Sequence, residues 1–405
     1  MTDYALSGVK VLDLTHHIAG PYCTKLLASQ GAEVIKVERP GSGDPSRAMG
    51  PFPGDQPDPE KSALYLYLNM GKKGVTLNLK SPEGVRLFKE LVKDADALVE
   101  NFSPRVMPSL GLSYETLREI NPRLVMTSIS NFGQTGPYRD YKAQDIVITA
   151  MGGLNYTTGD PQREPLKPGG SQGQYIAGTC AFTSTMLALY SSLAGGEGQY
   201  IDISMAELIA PHQELTTVSY AYGGQIHGRG LYRYIYGYPV DLYEAKDGLF
   251  VLNANGQGGN GLTMLALLVD KPELVDHPYL DRLNSMARIN ATFEEFDALF
   301  GDYFKTHTRL EIVEKAQELD MAFAPVQSME DLLKDPQMEA RNFFVELEHP
   351  KAGRLRYPGL PWVMSECPSY FARAPLLGEH NEEILGGRLG LSKDELAKLR
   401  QEGTI

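Results

Sequence analysis

Six cationic positions in the first 142 residues are spaced for one kind of chemistry. Arg39 closes an apolar run. Lys72 and Lys73 precede another such run, and Lys80 ends it. Arg105 follows a fourth run, and Lys142 lies in a loop after a fifth. If those runs are parallel strands, several of these side chains fall near strand ends and converge on one rim. A ligand carrying several phosphates would suit such a rim. Taken singly, each is a solvated lysine or arginine; the set says more than its members. His16 and His17 follow the first run, where ligands bind in such sheets, although a satisfied structural histidine is the favoured reading for each. The stretch "NGQGGNG" (255–261) does not match GxGxxG and reads either as a flexible loop or as a mobile lid. No phosphate-loop or metal-ligand spacing is present.

A second stretch, "KPGGSQGQYIAG" (167–178), has the look of an active-site mouth: glycines, then a helix start. It holds no carboxylate, cysteine or histidine. Asp160 and Glu164 lie upstream on what reads as a loop. Asp202 sits in "YIDIS", a strand-like run where a structural role is favoured.

The elements that must position these residues alternate. "VKVLDLT" (9–15), "AEVIKVE" (32–38), "GVTLNLK" (74–80), "ALVENF" (97–102) and "RLVMTSIS" (123–130) read as strands. Helical stretches separate them. "AGPYCTKLLASQG" has Pro21 near its start and Gly31 at its end. Ser81 and Pro82 open another helix as N-cap and first residue, with Val85, Phe88, Leu91 and Val92 on one apolar face. This order predicts an α/β fold with a parallel, doubly wound, Rossmann-like sheet. After "GQYIDISMAELIA" (198–210) helices dominate. The expected division is 1–210 for the large domain, 211–330 for a smaller one with its linkers, and 331–405 for a return to the first. The lone Trp362 is expected in the core.

Bulk composition narrows the partners. The chain has 405 residues and a net charge of −13, which speaks against nucleic acid as a partner. Three cysteines are too few and too scattered for a disulfide framework or a zinc site, so buried thiols in a reducing cytoplasm are expected. The N-terminus has no signal-peptide pattern. Residues 169–196 carry no charge, but their threonines and serines suit a buried central helix better than a membrane span.

Together these segments resemble the class III CoA-transferases, the family of formyl-CoA and carnitine-CoA transferases. The resemblance is carried by 6–47, by "NMGKKGVTLNLKSPEG" (69–84), by "LVENFSP" (98–104), by 110–138, by "GEGQYIDISMAE" (196–207) and by "APLLGEHNEEIL" (374–385). It implies a Rossmann-like large domain built from both chain ends, an inserted small α+β domain, and two subunits interlocked like links of a ring. It implies CoA or acyl-CoA as a substrate, with no tightly bound cofactor and no metal. By position, Ile18, Ala19, Arg39, Leu77, Asn78, Leu79, Lys80, Asn101 and Phe102 would line the nucleotide site, and Lys142 would fill a cationic loop position. One family arginine falls here on Ser109; Arg105 would supply that charge from a different place.

The family's chemistry uses an aspartate. Its carboxylate attacks the acyl-CoA thioester, giving a mixed anhydride and CoA thiolate. The thiolate re-attacks to leave an aspartyl-CoA thioester, and the second acid repeats the exchange. That aspartate stands four residues before a glycine that begins a long small-residue helix. Counting back from Gly178 gives Gln174, whose neutral amide cannot do this. The resemblance therefore implies a nucleophile-lacking subunit, inactive alone, with the aspartate on a paralogous partner of the same fold. Within the family this fits a heteromer that passes CoA from succinyl-CoA to (R)-2-benzylsuccinate in anaerobic toluene degradation. Two alternatives are a CoA-thioester racemase relative, which also needs the missing aspartate, and a non-enzymatic CoA-binding homo-oligomer.

Overall fold

A computed structural model describes residues 4–226, 228–229, 240–254, 261–280 and 293–405. The glycine loop at 255–261 lies outside the described residues except for Gly261.

Six parallel strands form the main sheet: β1 (Lys10–Asp13), β2 (Glu33–Glu38), β3 (Lys73–Thr76), β4 (Ala97–Glu100), β5 (Val125–Ser130) and β6 (Tyr200–Ser204). Their spatial order is β3-β2-β1-β4-β5-β6, with every pairing parallel. Order reverses between β1 and β4, which is the switch point of a doubly wound sheet. Strands such as β4 are buried at every position, as a sheet covered on both faces requires.

The helices between the strands follow local signals. Helix α1 (Ala19–Ser29) ends just before Gly31, whose φ of 91° suits glycine. Helix α2 is Ala63–Leu68. Helix α3 (Pro82–Val92) is capped by Ser81, whose Oγ accepts from Gly84 N at 2.9 Å. It buries Leu87, Phe88, Leu91 and Val92 against the sheet. Short helices α4 (Val106–Ser109) and α5 (Tyr114–Ile120) follow β4. Helices α6 (Asp145–Met151), α7 (Leu154–Thr157) and α8 (Gln172–Leu193) lie between β5 and β6.

Helix α8 is long and apolar enough to cross a membrane. Here it packs along α1 instead, through a line of small residues that includes Ala177, Gly178, Ala181 and Ala188. A Cβ on Gly178 would lie 2.5 Å from the Ala19 carbonyl oxygen, so only glycine allows this approach. The other face of α8 leaves Leu187, Tyr190 and Leu193 exposed.

The chain forms two compact units. The first is 1–155, 167–218 and 340–405; the second is 156–166 with 219–339. In the first, Phe344–His349 and Gly353–Pro358 pair as an antiparallel hairpin. Trp362 is half-buried rather than in the core; its ring stacks on Phe182. The second unit has its own antiparallel sheet (Val240–Ala245, Gly248–Asn253 and Ala324–Pro325). It also has its own aromatic core, in which Phe250, Phe296, Phe300 and Phe304 are buried. Cys23 is buried, whereas Cys180 and Cys367 are half-buried; all three are free thiols.

Candidate functional site

A cleft of about 470 Å³ opens at the carboxyl ends of β1 to β4. Its walls come from four strand ends: Leu14 and His16 after β1, Val37 to Pro40 at the end of β2, Leu77 to Lys80 after β3, and Phe102 after β4. Val106, Ser109 and Leu110 close one side and Gly403 another. This is the crevice in which open α/β sheets hold their ligands.

Each wall has a local cause. Strand β3 stops at Thr76, four residues before Lys80, because Asn78 starts a turn: its carbonyl accepts from Ser81 N at 2.9 Å. The segment Leu77–Lys80 is therefore a wall and not the end of a strand. Asn101 clamps the loop after β1 from both sides. Its Oδ1 accepts from His16 N at 2.7 Å and its Nδ2 donates to His16 O at 2.8 Å. The Phe102 ring meets the His16 ring edge-on, 5.1 Å between centres. Burial and the nearby Lys36 cation push His16 down to about 4, so its imidazole is neutral at pH 7.

Beneath the cleft lies a buried charge network. Asp13 accepts from Lys72 Nζ at 2.9 Å, from Thr24 at 2.7 Å and from the Thr15 N–H at 2.8 Å. Lys36 pairs with Asp44 at 2.9 Å and donates to the Thr15 carbonyl at 2.8 Å. Burial opposes the Asp13 charge, but Lys36 and Lys72 outweigh it and hold the carboxyl far below its usual range. The network fixes the Thr15–His16 turn, and with it one cleft wall.

Of the six cations, only Arg39 and Lys80 line the cleft; both are exposed, and among the described residues neither has an ion-pair partner. Lys72 is buried on Asp13, and Lys73 pairs with Glu33 and Glu383. Arg105 is not part of the lining; its guanidinium pairs with Asp140 at 2.6 and 2.9 Å. Lys142 is exposed and outside the lining. Leu77, Asn78, Leu79 and Phe102 line the cleft, and Asn101 supports it from behind. Ile18 and Ala19 are buried at the start of α1 and are not part of the lining.

Gln174 is the third residue of α8 and is half-buried. Its backbone N–H donates to Asp145 Oδ1 at 3.2 Å. The other oxygen of Asp145 pairs with Lys167 Nζ at 3.1 Å, and Lys167 also donates to the carbonyls of Pro168 and Gly170. Asp145 thus ties the 167–170 loop to the first turn of α8 and fixes the backbone at 174. The Ala19 carbonyl against Gly178, and the Tyr22 ring 5.0 Å from Tyr175, join this turn to α1. Sequence reasoning missed Asp145; its only signal was one acidic residue at a helix start. Asp160 and Glu164 are exposed and belong to the second unit. Asp202 accepts from the Gln134 N–H and so has a structural partner.

Comparison with known proteins places this geometry. The model of CoA-transferase family III matches residues 6–381. The chain is 34% identical over 404 residues to succinyl-CoA–D-citramalate CoA-transferase of Chloroflexus aurantiacus, covering 99% of this chain and 98% of that one. It is 32% identical over 409 residues to the succinyl-CoA–L-malate CoA-transferase beta subunit of the same organism, covering 100% and 99%. Among solved structures, a CAIB/BAIF family protein from Brucella suis superposes with a TM-score of 0.84 at 28% identity, covering 95% of this chain and 99% of that one.

Proposed function

Because this chain belongs to CoA-transferase family III, a family that moves CoA between carboxylic acids, we propose that it is the nucleophile-lacking subunit of a heteromeric enzyme. The observation that carries this reading is the amide of Gln174. Its backbone is anchored by Asp145 at the start of α8, yet its side chain has no nucleophilic oxygen. A paralogous partner of the same fold supplies the aspartate. The exposed face of α8, with Leu187, Tyr190 and Leu193, offers apolar surface to the partner of an interlocked pair.

The cleft between Arg39 and Lys80 suits the phosphates of CoA. Apolar Leu14, Val37, Leu77 and Phe102 suit the adenine. Arg39, Leu77, Asn78, Leu79, Lys80, Asn101 and Phe102 are the contacts we assign. Ile18 and Ala19 act through the loop, and Arg105 or Lys142 could join only if their side chains swing to the rim. CoA here is a substrate and not a resident cofactor. The donor we favour is succinyl-CoA, the donor named for both Chloroflexus relatives. The acceptor we favour is (R)-2-benzylsuccinate, a substituted dicarboxylic acid. One of those relatives is named as a beta subunit, which supports a heteromer.

The test uses the chain alone and the chain co-expressed with an aspartate-bearing paralog. Alone it should transfer no CoA from succinyl-CoA to any acid; together the two should form a mixed oligomer by native mass spectrometry and transfer CoA to benzylsuccinate. Robust transfer by the single pure chain, or exclusive self-association, would overturn the reading. A Gln174→Asp variant should gain a covalent acyl or CoA adduct on residue 174, seen by intact-protein mass spectrometry, because Asp145 already holds the backbone there.

A further inference from the structure

Glu100 ends β4 and is buried, yet neither its position nor its charge is used by the site described so far. Its Oε2 accepts from the Phe102 N–H at 2.7 Å. Between the two lies Asn101, whose side chain grips both backbone groups of His16. The carboxylate thus closes a tight turn, Glu100-Asn101-Phe102, and two cleft walls depend on that turn. One is the Phe102 ring; the other is the His16 loop.

A second crevice, of about 150 Å³, lies across the 101–110 segment from the first. Ser103, Met107 and Pro108 face it, whereas Phe102, Val106 and Ser109 face the cleft. Glu100 is among its lining residues, so a proton can reach the carboxyl from that side while the cleft is occupied. The groups facing Glu100 are Ser128 on β5, Tyr200 and Asp202 on β6, and Tyr114 and Glu115 on α5. The charge that acts on it is the negative one of Asp202. Burial above all, with Asp202 adding to it, outweighs the Phe102 hydrogen bond and the nearby Ser128 hydroxyl and pushes Glu100 up to about 7.

We propose that Glu100 is a positioning residue of the cleft: its ionised carboxylate, holding the Phe102 N–H, fixes Asn101 on His16 and the Phe102 ring in the wall, and protonation loosens the cleft toward its ligand. A charged acceptor holds an N–H about twice as strongly as a neutral one. The ligand half of this inference rests on the cleft being the CoA site; the turn itself does not.

Two measurements on the full chain separate these. The first is CoA affinity by calorimetry for wild type and Glu100→Gln, from about pH 6 to about pH 8.5. The amide keeps an acceptor for Phe102 but cannot ionise, so it mimics the protonated state throughout. Wild type should bind about fivefold tighter than the variant at the alkaline end and equally at the acid end. The ratio cancels the titration of the CoA phosphates themselves. A ratio that stays constant with pH overturns the proposal. The second is hydrogen exchange of the Phe102 amide, corrected for intrinsic rate, with no ligand present. Its protection should rise through about pH 7 in wild type and stay flat in Glu100→Gln. Flat protection in wild type overturns the proposal even if the variant fails to fold. If protection titrates but CoA binds at no pH, the positioning role stands and the CoA assignment of the cleft falls.

Discussion

Lys25 lies on α1 with its side chain fully buried, its ammonium 3.8 Å above the Tyr67 ring and, among the described residues, with no hydrogen-bond acceptor. The ring returns part of what burial costs, since a desolvated cation–π contact contributes on the order of 2 kcal/mol. Burial, with the Lys72 charge adding to it, brings Lys25 down to about 7. Because the folded value is below the unfolded one, the folded chain binds fewer protons between about pH 7 and pH 10. Stability from this group is therefore complete at alkaline pH and is lost as pH falls toward 7. Lys25→Met should raise stability at pH 7 by about 1–2 kcal/mol, the order of one unsatisfied buried polar group, and flatten that slope. Urea unfolding of both proteins at several pH values checks it; a destabilised variant would mean that the ammonium has a partner within the protein. Residues of this kind are illegible in the sequence. Lys72 reads as a rim cation until Asp13, 59 positions away, buries it, and nothing in the sequence shows that Arg105 pairs with Asp140. Whether a cation is free is decided by its tertiary partner, whereas its type and spacing are all that a sequence displays.

Elements were far more legible, because strand and helix signals are local. The β-run at 32–38 and the Ser81-Pro82 helix start sit where pattern and capping chemistry put them. The run at 74–80 is the instructive exception. Its alternation continues past Thr76, but among the described strands β3 pairs with β2 alone, and Leu77 N makes the last bond to Glu38 O before Asn78 turns the chain. The frame of the 167–178 stretch was also legible: glycines, a helix start and an amide at 174. What fixes that frame, the Asp145 carboxylate, comes from another helix and was not. Contact between α1 and α8 gives the prediction at this scale. Gly178→Val would place a branched side chain where even a Cβ lies 2.5 Å from the Ala19 carbonyl. The small gain in helix propensity cannot offset overpacking of this kind, so the variant should lose about 2 kcal/mol or more. Urea unfolding measures it, and unchanged stability would show that α8 can stand off from α1 at no cost.

The large unit closes on itself through its far end. His380 N donates to the Gly74 carbonyl at 2.9 Å and Asn381 Oδ1 accepts from Thr76 N at 2.9 Å, so residues from the C-terminal segment cover the open edge of β3. Ile384, Leu385, Leu396 and Leu399 then complete the core under that edge, and Gly403 joins the cleft wall. The return to the first domain expected at 331–405 rested on coarse pattern and on resemblance, since the bonds that bring this segment there span 305 positions. Asn381 is the point at which this closure can be tested. Its Nδ2 also donates to Thr76 Oγ1 at 2.8 Å, so Asn381→Ala leaves both Thr76 groups without their partner. The expected loss is about 1–3 kcal/mol, the cost of unsatisfied buried groups. Asn381→Asp keeps the acceptor for Thr76 N and should recover part of it. Because Thr76 leads directly into Leu77–Lys80, the alanine variant should also bind CoA more weakly than the aspartate variant does. Calorimetry and urea unfolding on the same samples would show the two losses moving together. Lost stability with untouched affinity would mean that the β3 edge and the cleft wall are held independently, the wall then resting on Thr404 O and Asn78 N, 2.8 Å apart.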